Sequence, residues 1–207
     1  QVFGGSNTRI LGGTTTQNVT LGGADNVIHP SSGNGSDNNV IAGGRNFSIT
    51  GAYSGLFAGG AVTSTSRNRI TGDRSTIVGG QLSRVLSDGG HIAGGESHAV
   101  HGDNSAIVGG DTNSITGANS FVAGGDNLSL TGAQCAMIAG QFNTMASCTG
   151  AFMAGGLSNS LGLNANNSAI VGGRNSDITT GSSGGENSGI FVGRNNDVGG
   201  GSYGADE

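Results

Sequence analysis

The sequence predicts an all-β protein, a parallel β-solenoid whose chain winds into stacked coils of about 15 residues each. The prediction depends on a Gly-Gly marker that recurs at nearly constant spacing, on two short apolar segments per repeat, and on the glycine that closes each segment. The marker begins at Gly43, Gly59, Gly79, Gly94, Gly109, Gly124, Gly155 and Gly172, with degenerate copies at Gly12, Gly22, Gly140 and Gly193. We expect residues 1–207 to form a single solenoid domain. We also expect the sequence to be a fragment of a longer chain, because it starts at Gln1 rather than Met.

The composition excludes several classes of protein. Glycine supplies 44 of 207 residues but does not occupy every third position as in collagen, and 33% hydrophobic against 10% charged residues argues against disorder. The eight basic residues are all arginines in a chain of net charge −5, and only Arg67 to Arg74 forms a modest cluster. We therefore expect no nucleic-acid partner. Because no apolar run approaches the length of a membrane span, we expect no membrane insertion.

The coil from Gly109 to Gly124 shows how one repeat is built. One apolar spot lies around Ile115 and another around Val122, and glycine follows each of them. Glycine reaches positive φ without steric penalty, so each coil is predicted to hold two short strands and two tight turns. Helices are excluded, since no apolar period of 3.6 residues survives glycine at this frequency.

Alignment on the marker gives apolar columns. The small column, immediately before the glycines, comprises Ala42, Ala58, Val78, Ala93, Val108, Ala123, Ala139, Ala154, Val171 and Val192. The large column, one residue earlier, comprises Ile41, Phe57, Ile77, Ile92, Ile107, Val122, Ile138, Met153, Ile170 and Phe191. The second strand contributes Ile49, Ile70, Val85, Val100, Ile115, Leu130, Leu161 and Ile178.

The first two columns are adjacent, so they point to opposite faces of the first strand. We expect the small column to fill a narrow coil interior, and the large column to pack outside the coil against another copy of the chain. A parallel bundle of three would bury the large column around an axis and shield strand edges. Some coils are longer, and the insertions around Pro30 and at residues 179–186 are candidates for a binding surface.

Two repeat segments resemble known families. Asn-Ser-Ile-Thr-Gly (residues 113–117) and Ser-Ala-Ile-Val-Gly-Gly (residues 105–110) are similar to head repeats of bacterial trimeric autotransporter adhesins. The Gly-Gly-x-x-Asn-x-Ile-x-Gly pattern also resembles repeats of phage tail-fibre, tail-spike and neck-appendage proteins. Both resemblances, over about residues 4–200, imply a homotrimeric β-roll. Paired glycines, irregular spacing and the lack of a heptad stalk favour the viral family.

The resemblance implies a structural and receptor-binding segment of a phage tail fibre, spike or appendage. Such a protein would lie in the virion and attach to a host cell-surface glycan or other receptor. The alternatives are the head of an autotransporter adhesin at the bacterial cell surface and a polysaccharide-degrading tail spike. Some phage appendages release a C-terminal chaperone by self-cleavage, and an end at Glu207 is compatible with that or with an arbitrary boundary.

We expect no enzyme activity and no cofactor. Paired carboxylates carry glycoside hydrolysis, and the candidates for such a pair are Asp88, Glu96, Asp103 and Asp111. Sugar-cleaving grooves usually contain aromatic platforms, whereas this chain has no Trp and two Tyr.

The residue after the marker forms the one column in which charge accumulates. It reads Arg45, Ala61, Gln81, Glu96, Asp111, Asp126, Gln141, Leu157 and Arg174. Like charges opposed on neighbouring strands destabilise, so Glu96, Asp111 and Asp126 require water, a neighbouring partner or a cation. One hypothesis is that these three bind a metal such as Ca²⁺, and the alternative is a solvated acidic turn.

Three further sets of residues have both functional and structural interpretations. His91, His98 and His101 cluster in one coil, but His98 falls in the column of Asn113 and His101 in that of Thr116, which favours polar turn filling. Cys135 and Cys148 form either a disulfide or two free thiols. A partial threonine column suggests ice binding, and Leu86 and His101 interrupt it. That column comprises Thr50, Thr71, Thr116 and Thr131.

Overall fold

The computed structural model describes residues 1–11, 17–29, 38–60, 67–179 and 187–199 and forms a parallel β-solenoid of about eleven turns. Each full turn adds one strand to each of two twelve-stranded parallel sheets. The predicted fold class is confirmed, with about 16 residues per coil. The predicted marker at Gly12 and the insertions around Pro30 and at residues 180–186 lie outside the described residues, and the first described marker is the pair after Phe3.

Strands alternate between the sheets. The first sheet contains β1 (Val2–Phe3), β3 (Val19–Leu21), β5 (Val40–Ala42), β7 (Gly55–Phe57), β9 (Thr76–Val78), β11 (His91–Ile92), β13 (Ala106–Ile107), β15 (Phe121–Ala123), β17 (Ala136–Ile138), β19 (Phe152–Ala154), β21 (Ala169–Val171) and β23 (Gly189–Phe191). The second contains β2 (Arg9–Ile10), β4 (Val27–Ile28), β6 (Ser48–Ile49), β8 (Arg69–Ile70), β10 (Arg84–Val85), β12 (Ala99–Val100), β14 (Ser114–Ile115), β16 (Ser129–Leu130), β18 (Thr144–Met145), β20 (Ser160–Leu161), β22 (Asp177–Thr179) and β24 (Asp197–Gly199).

The interior is filled by the larger residues, and the predicted sidedness of the first strand is wrong. Ile77 and Ile107 are fully buried between the sheets, whereas Val78 and Val108 are 49% and 47% exposed on the outside. Packed sheets stand about 10 Å apart, a gap that two facing isoleucines fill and that facing alanines would leave open. The second-strand column is buried, for example at Ile115.

In three coils the alignment on the glycine pair is also displaced by one residue from the structural register. Ala58, Ala139 and Val192 adopt φ values of 51°, 55° and 54°, so each occupies the turn position that glycine takes elsewhere. In register, Leu56, Met137 and Ile190 therefore point inward. Phe57, Ile138 and Phe191 point outward and are exposed. The marker in the sequence is the glycine pair, but the repeat in the structure is defined by the positive φ at the turn, which residues other than glycine also adopt.

Buried asparagines connect successive coils along the interior. Asn113 donates through Nδ2 to the carbonyls of Gly109 at 3.3 Å and Gly125 at 3.1 Å, and its Oδ1 accepts from the N–H of Leu128 at 2.9 Å. The same arrangement recurs at Asn26, Asn143 and Asn159. Each such side chain adds hydrogen bonds to backbone groups at the turn, between the two sheets.

A second interior ladder consists of hydroxyl groups. Ser105 Oγ donates to the Gly117 carbonyl at 3.1 Å and accepts from the Ser120 N–H at 3.0 Å. Ser120 repeats this one coil later toward Gly132 and Cys135. Serine lies two residues before the inward aliphatic residue of the strand, so both share the inner face. The interior is therefore apolar between the sheets and hydrogen-bonded at the corners.

Candidate binding surfaces

The outer face of the first sheet is almost entirely apolar. Phe121 is 39% and Ile138 is 41% exposed there, and Thr76 and His91 are its polar exceptions. We call this surface the apolar face. Its apolar members are Phe3, Val19, Leu21, Val40, Ala42, Phe57, Val78, Ala93, Ala106, Val108, Phe121, Ala123, Ala136, Ile138, Phe152, Ala154, Ala169, Val171 and Phe191.

The outer face of the second sheet is polar and is called the hydroxyl face. Its serines and threonines are Ser48, Thr50, Thr71, Ser114, Thr116, Ser129, Thr131, Thr144, Ser160 and Thr179. The threonine column is interrupted as predicted, because Leu86 and His101 lie in register between Thr71 and Thr116. The ordered hydroxyl array that the ice-binding hypothesis needs is thus broken in the middle of this face.

Three arginines concentrate on the hydroxyl face. Arg84 pairs in register with Arg69, and Arg67 lies two residues before Arg69 on the same side of the chain. All three arginines line a groove of ≈ 450 Å³ together with Leu82 and Ser97. Arg67 and Arg69 also line an adjoining groove of ≈ 520 Å³, whose other lining residues are His29, Ser48 and Thr50. We call these joined grooves the arginine furrow. The cluster predicted from the sequence, Arg67 to Arg74, does not contain Arg84, although Arg84 follows Arg69 by one repeat.

The predicted acidic column is in register at the glycine corner. Glu96, Asp111 and Asp126 form consecutive parallel bridges, and the ladder continues to Gln141. Asp111 accepts from the Thr112 hydroxyl at 2.7 Å, and Asp126 accepts from the Gln141 amide at 2.8 Å. Neighbouring hydroxyl and amide groups thus supply part of the compensation that the like charges require.

A groove of ≈ 670 Å³ runs along the same corner, lined by marker glycines and by Gln81, Glu96 and Asp111. Within the described ranges, no group of three or more His, Cys, Asp and Glu side chains is arranged to hold a metal ion. Calcium binding by Glu96, Asp111 and Asp126 stays a prediction, and a calorimetric calcium titration without heat would remove it. Ala61 of the predicted column lies outside the described residues.

The four candidate glycosidase carboxylates fall into two ladders at opposite corners of the coil. Asp88 Oδ1 accepts from the Asp73 N–H at 2.8 Å, and Asp103 Oδ1 accepts from the Asp88 N–H at 3.2 Å. Glu96 and Asp111 belong instead to the glycine corner, before the second strand of each coil. Asp88 and Asp103 therefore have a structural role as acceptors for backbone N–H groups.

The three histidines separate by environment. His98 is fully buried, and its Nδ1 accepts from the Asn113 N–H at 3.2 Å, in the column predicted from the sequence. Burial lowers the pKa of His98 below its ordinary value of 6.5, while the Asp111 carboxylate and the Gly110 carbonyl oppose this effect. His91 and His101 are exposed on the outer faces of different sheets.

The two cysteines are free thiols in contact. Cys135 Sγ lies 3.7 Å from Cys148 Sγ, and both side chains are buried. The hydrogen bond from the Cys148 thiol lowers the pKa of Cys135 to about 7, and the same contact together with burial raises the pKa of Cys148. Cys135 occupies the interior serine ladder, where its sulfur contacts the carbonyls of Ala133 and Cys148.

Comparisons with known proteins leave the architecture as the established result. No protein-family model matches the chain, and no curated protein matches it significantly. The described ranges contain no helix that is long and apolar enough to cross a membrane. The fold therefore defines the class, a two-sheet parallel β-solenoid, and its function is inferred from its surfaces.

Proposed function

We propose that this chain is a rigid, non-enzymatic rod that associates with copies of itself through the apolar face and presents the hydroxyl face to a receptor. The observation that carries the proposal is the difference between the outer faces of the two sheets. Both sheets point aliphatic side chains inward, yet Val108 and Phe121 stand exposed on one side, and Ser114 and Thr116 occupy the other.

The size of the apolar face supports a second copy of the chain as its occupant. Twelve strands at about 4.8 Å spacing make a face about 50 Å long, and three residues per strand make it about 10 Å wide. The resulting area of about 500 Å² is at the upper end of what a soluble monomer exposes, and with its flanking turns it approaches the ~800 Å² per partner of a standard interface. Following the family resemblance of the repeats, we propose a homotrimer.

The biological setting of the rod is proposed from the same repeats. The segments at residues 105–110 and 113–117 support a structural and receptor-binding part of a phage tail fibre or appendage, with host attachment through a cell-surface glycan. The alternative is the head of a bacterial trimeric autotransporter adhesin. Flanking sequence distinguishes them, because a C-terminal membrane anchor belongs to an adhesin and a chaperone or virion-attachment domain belongs to a phage fibre.

The mass of the protein in solution tests self-association. We expect light scattering after gel filtration to give three times the chain mass. The substitution Val108→Asp should produce monomers, because three carboxylates would be desolvated in the interface. The control Thr116→Asp introduces the same group on the hydroxyl face and should leave the trimer intact. A monomeric unsubstituted protein, or equal effects of both substitutions, would overturn this part of the proposal.

A glycan array tests receptor binding by the intact oligomer. The proposal expects a subset of cell-surface glycans to bind, and it expects Thr116→Asp to weaken that binding more than Val171→Thr, a mild change on the opposite sheet. Failure to bind any glycan or any intact host cell would contradict the receptor-binding role while leaving the association result unaffected.

A further inference from the structure

We infer that the arginine furrow is the subsite for an acidic oligosaccharide, one that carries a carboxylate, sulfate or phosphate group on its sugars. The inference rests on the proposed glycan binding and specifies its ligand class. It depends on the arginines' register, on the lack of an ion pair to them from any residue in the described ranges, and on the hydroxyl groups beside them.

The register places two positive charges side by side. Arg69 and Arg84 are directly paired on neighbouring parallel strands, so their Cα atoms lie about 4.8 Å apart and both side chains leave the same face. Like charges opposed in this way destabilise a sheet. Across the described ranges, no carboxylate forms an ion pair with Arg67, Arg69 or Arg84. An anionic ligand would remove the repulsion that the fold leaves uncompensated.

The furrow has the shape and lining that a sugar chain requires. Its two grooves share Arg67 and Arg69 and cross five consecutive coils, from His29 to Ser97. Five strands at about 4.8 Å spacing span about 20 Å, which suits a short oligosaccharide rather than a single ion. Thr50 and Ser97 offer hydroxyl groups that can donate to and accept from sugar hydroxyls.

Arginine chemistry selects the anionic group. A guanidinium donates two parallel hydrogen bonds to a carboxylate, sulfate or phosphate, and it is held here on strands rather than on a loop. Nucleic acid is disfavoured, because sequence-independent binding of single strands combines a basic groove with aromatic stacking platforms, and no Phe, Tyr or Trp lines either groove. The overall charge of −5 also disfavours a general polyanion surface.

The chain supplies a matched control for charge alone. Arg174 and Arg194 are also paired in register, at the glycine corner and far along the rod from the furrow. The double substitutions Arg69→Gln/Arg84→Gln and Arg174→Gln/Arg194→Gln change the net charge equally. All four positions are exposed, and circular dichroism with thermal unfolding would verify that each variant is folded.

The experiment measures binding of the intact oligomer to immobilised polyuronate, dextran sulfate, a polyol-phosphate polymer and neutral dextran, with a single-stranded oligonucleotide for comparison. We expect at least one acidic polysaccharide to bind, neutral dextran not to bind, and the furrow variant to lose about tenfold or more in affinity. The control variant should stay within about twofold, and the response to the three acidic polymers identifies the anionic group.

Three outcomes overturn the inference. Equal losses in the two double variants would mean binding by net charge alone, and tighter binding of the oligonucleotide would mean a nucleic-acid surface. Binding of neutral glycans with no effect of the furrow variant would refute the acidic subsite while the proposed glycan binding stands. If no glycan binds at all, in these wells or on the array, both fail.

Discussion

His98 Nδ1 accepts a 3.2 Å hydrogen bond from the backbone N–H of Asn113, the residue that takes the same position one coil later. Asn113 in turn accepts from the Leu128 N–H through Oδ1 at 2.9 Å. The imidazole therefore performs the acceptor role of a carboxamide, and it must be neutral to do so, since a protonated ring has no acceptor. His98 Nε2 lies on the side of the Gly110 carbonyl but makes no hydrogen bond of good geometry to any described residue.

The buried histidine predicts an acid-sensitive stability. Because burial lowers the pKa of His98 below 6.5, the unfolded state binds more protons in mildly acidic solution. The contribution of neutral His98 is complete above its unfolded pKa and is lost as the pH falls from there toward the lower folded pKa. Denaturant midpoints at about pH 7.5 and about pH 5.5 should fall less in His98→Asn than in the unsubstituted protein. The exposed control His101→Asn should keep the full loss, and equal behaviour of both variants would contradict the prediction.

Two glycines of one coil predict opposite sensitivities to alanine. A Cβ at Gly117 would collide with the Gly132 carbonyl of the next coil, so Gly117→Ala should cost about 3 kcal/mol or more in unfolding free energy. A Cβ at Gly109 meets nothing within 4 Å, and its φ of 75° is the only penalty, about 1 kcal/mol. Ala58 and Ala139 already occupy that turn position in other coils. Chemical denaturation measures both, and similar costs would show that coil stacking is looser than described.

The cysteine pair predicts a rod that can be oxidised internally without losing its fold. Hydrogen peroxide should oxidise the Cys135 thiolate, and Cys148, 3.7 Å away, should then displace water to form a disulfide. Intact mass should fall by about 2 Da, and alkylation after denaturation should count two thiols before treatment and none after it. Oxidation of each sulfur separately to higher acids would contradict the prediction.

Serine should replace both cysteines at little cost. Ser120 occupies the ladder position of Cys135 and makes the corresponding bonds, to Ala118 and Gly132. Ser87 occupies the corner position of Cys148. The double variant Cys135→Ser/Cys148→Ser should remain within about 1 kcal/mol of the unsubstituted protein by denaturation.

The interior amides predict a large loss from a small truncation. Asn143→Ala would remove donors to the carbonyls of Gly155 and Gly156 and leave the buried Asn159 N–H without its acceptor, costing about 1–3 kcal/mol. Thr144→Ala, on the exposed neighbouring residue, should change the unfolding free energy by less than about 0.5 kcal/mol. Equal losses from the two substitutions would mean that the ladder does not stabilise the corner.

The sequence was sufficient for the architecture and insufficient for the sidedness of its first strand. A marker at constant spacing predicts stacked coils, and on the second strand the polar neighbours of Ile115 leave one apolar residue to face inward. Ile107 and Val108 are both apolar, so alternation alone could not say which one faces inward. The residue two positions earlier supplies the missing signal, since Ser105 recurs as a small hydrogen-bonding residue on the face it shares with Ile107.

The sequence predicts which residues of the candidate surfaces are in register, but it does not predict the contacts that their side chains make between coils. The acidic ladder of Glu96, Asp111 and Asp126 followed directly from the marker. Its hydrogen-bond partners did not, because the Gln141 amide reaches back one coil to Asp126. The arginine furrow is not apparent from the sequence alone, because Arg67 and Arg84 are distant in the chain. They become neighbours only when the repeat stacks their coils.

Inward and outward residues alternate along each strand, so one set of positions determines the core and another set determines the surface. Val100 and Ile115 are fully buried against the coils above and below, whereas the outward Ala99 and Ser114 are only partly buried. A point mutation at an outward position of the hydroxyl face can therefore alter that surface at little cost to the fold. On the proposed receptor-binding role, the hydroxyl face could therefore change one coil at a time while the buried columns stay the same.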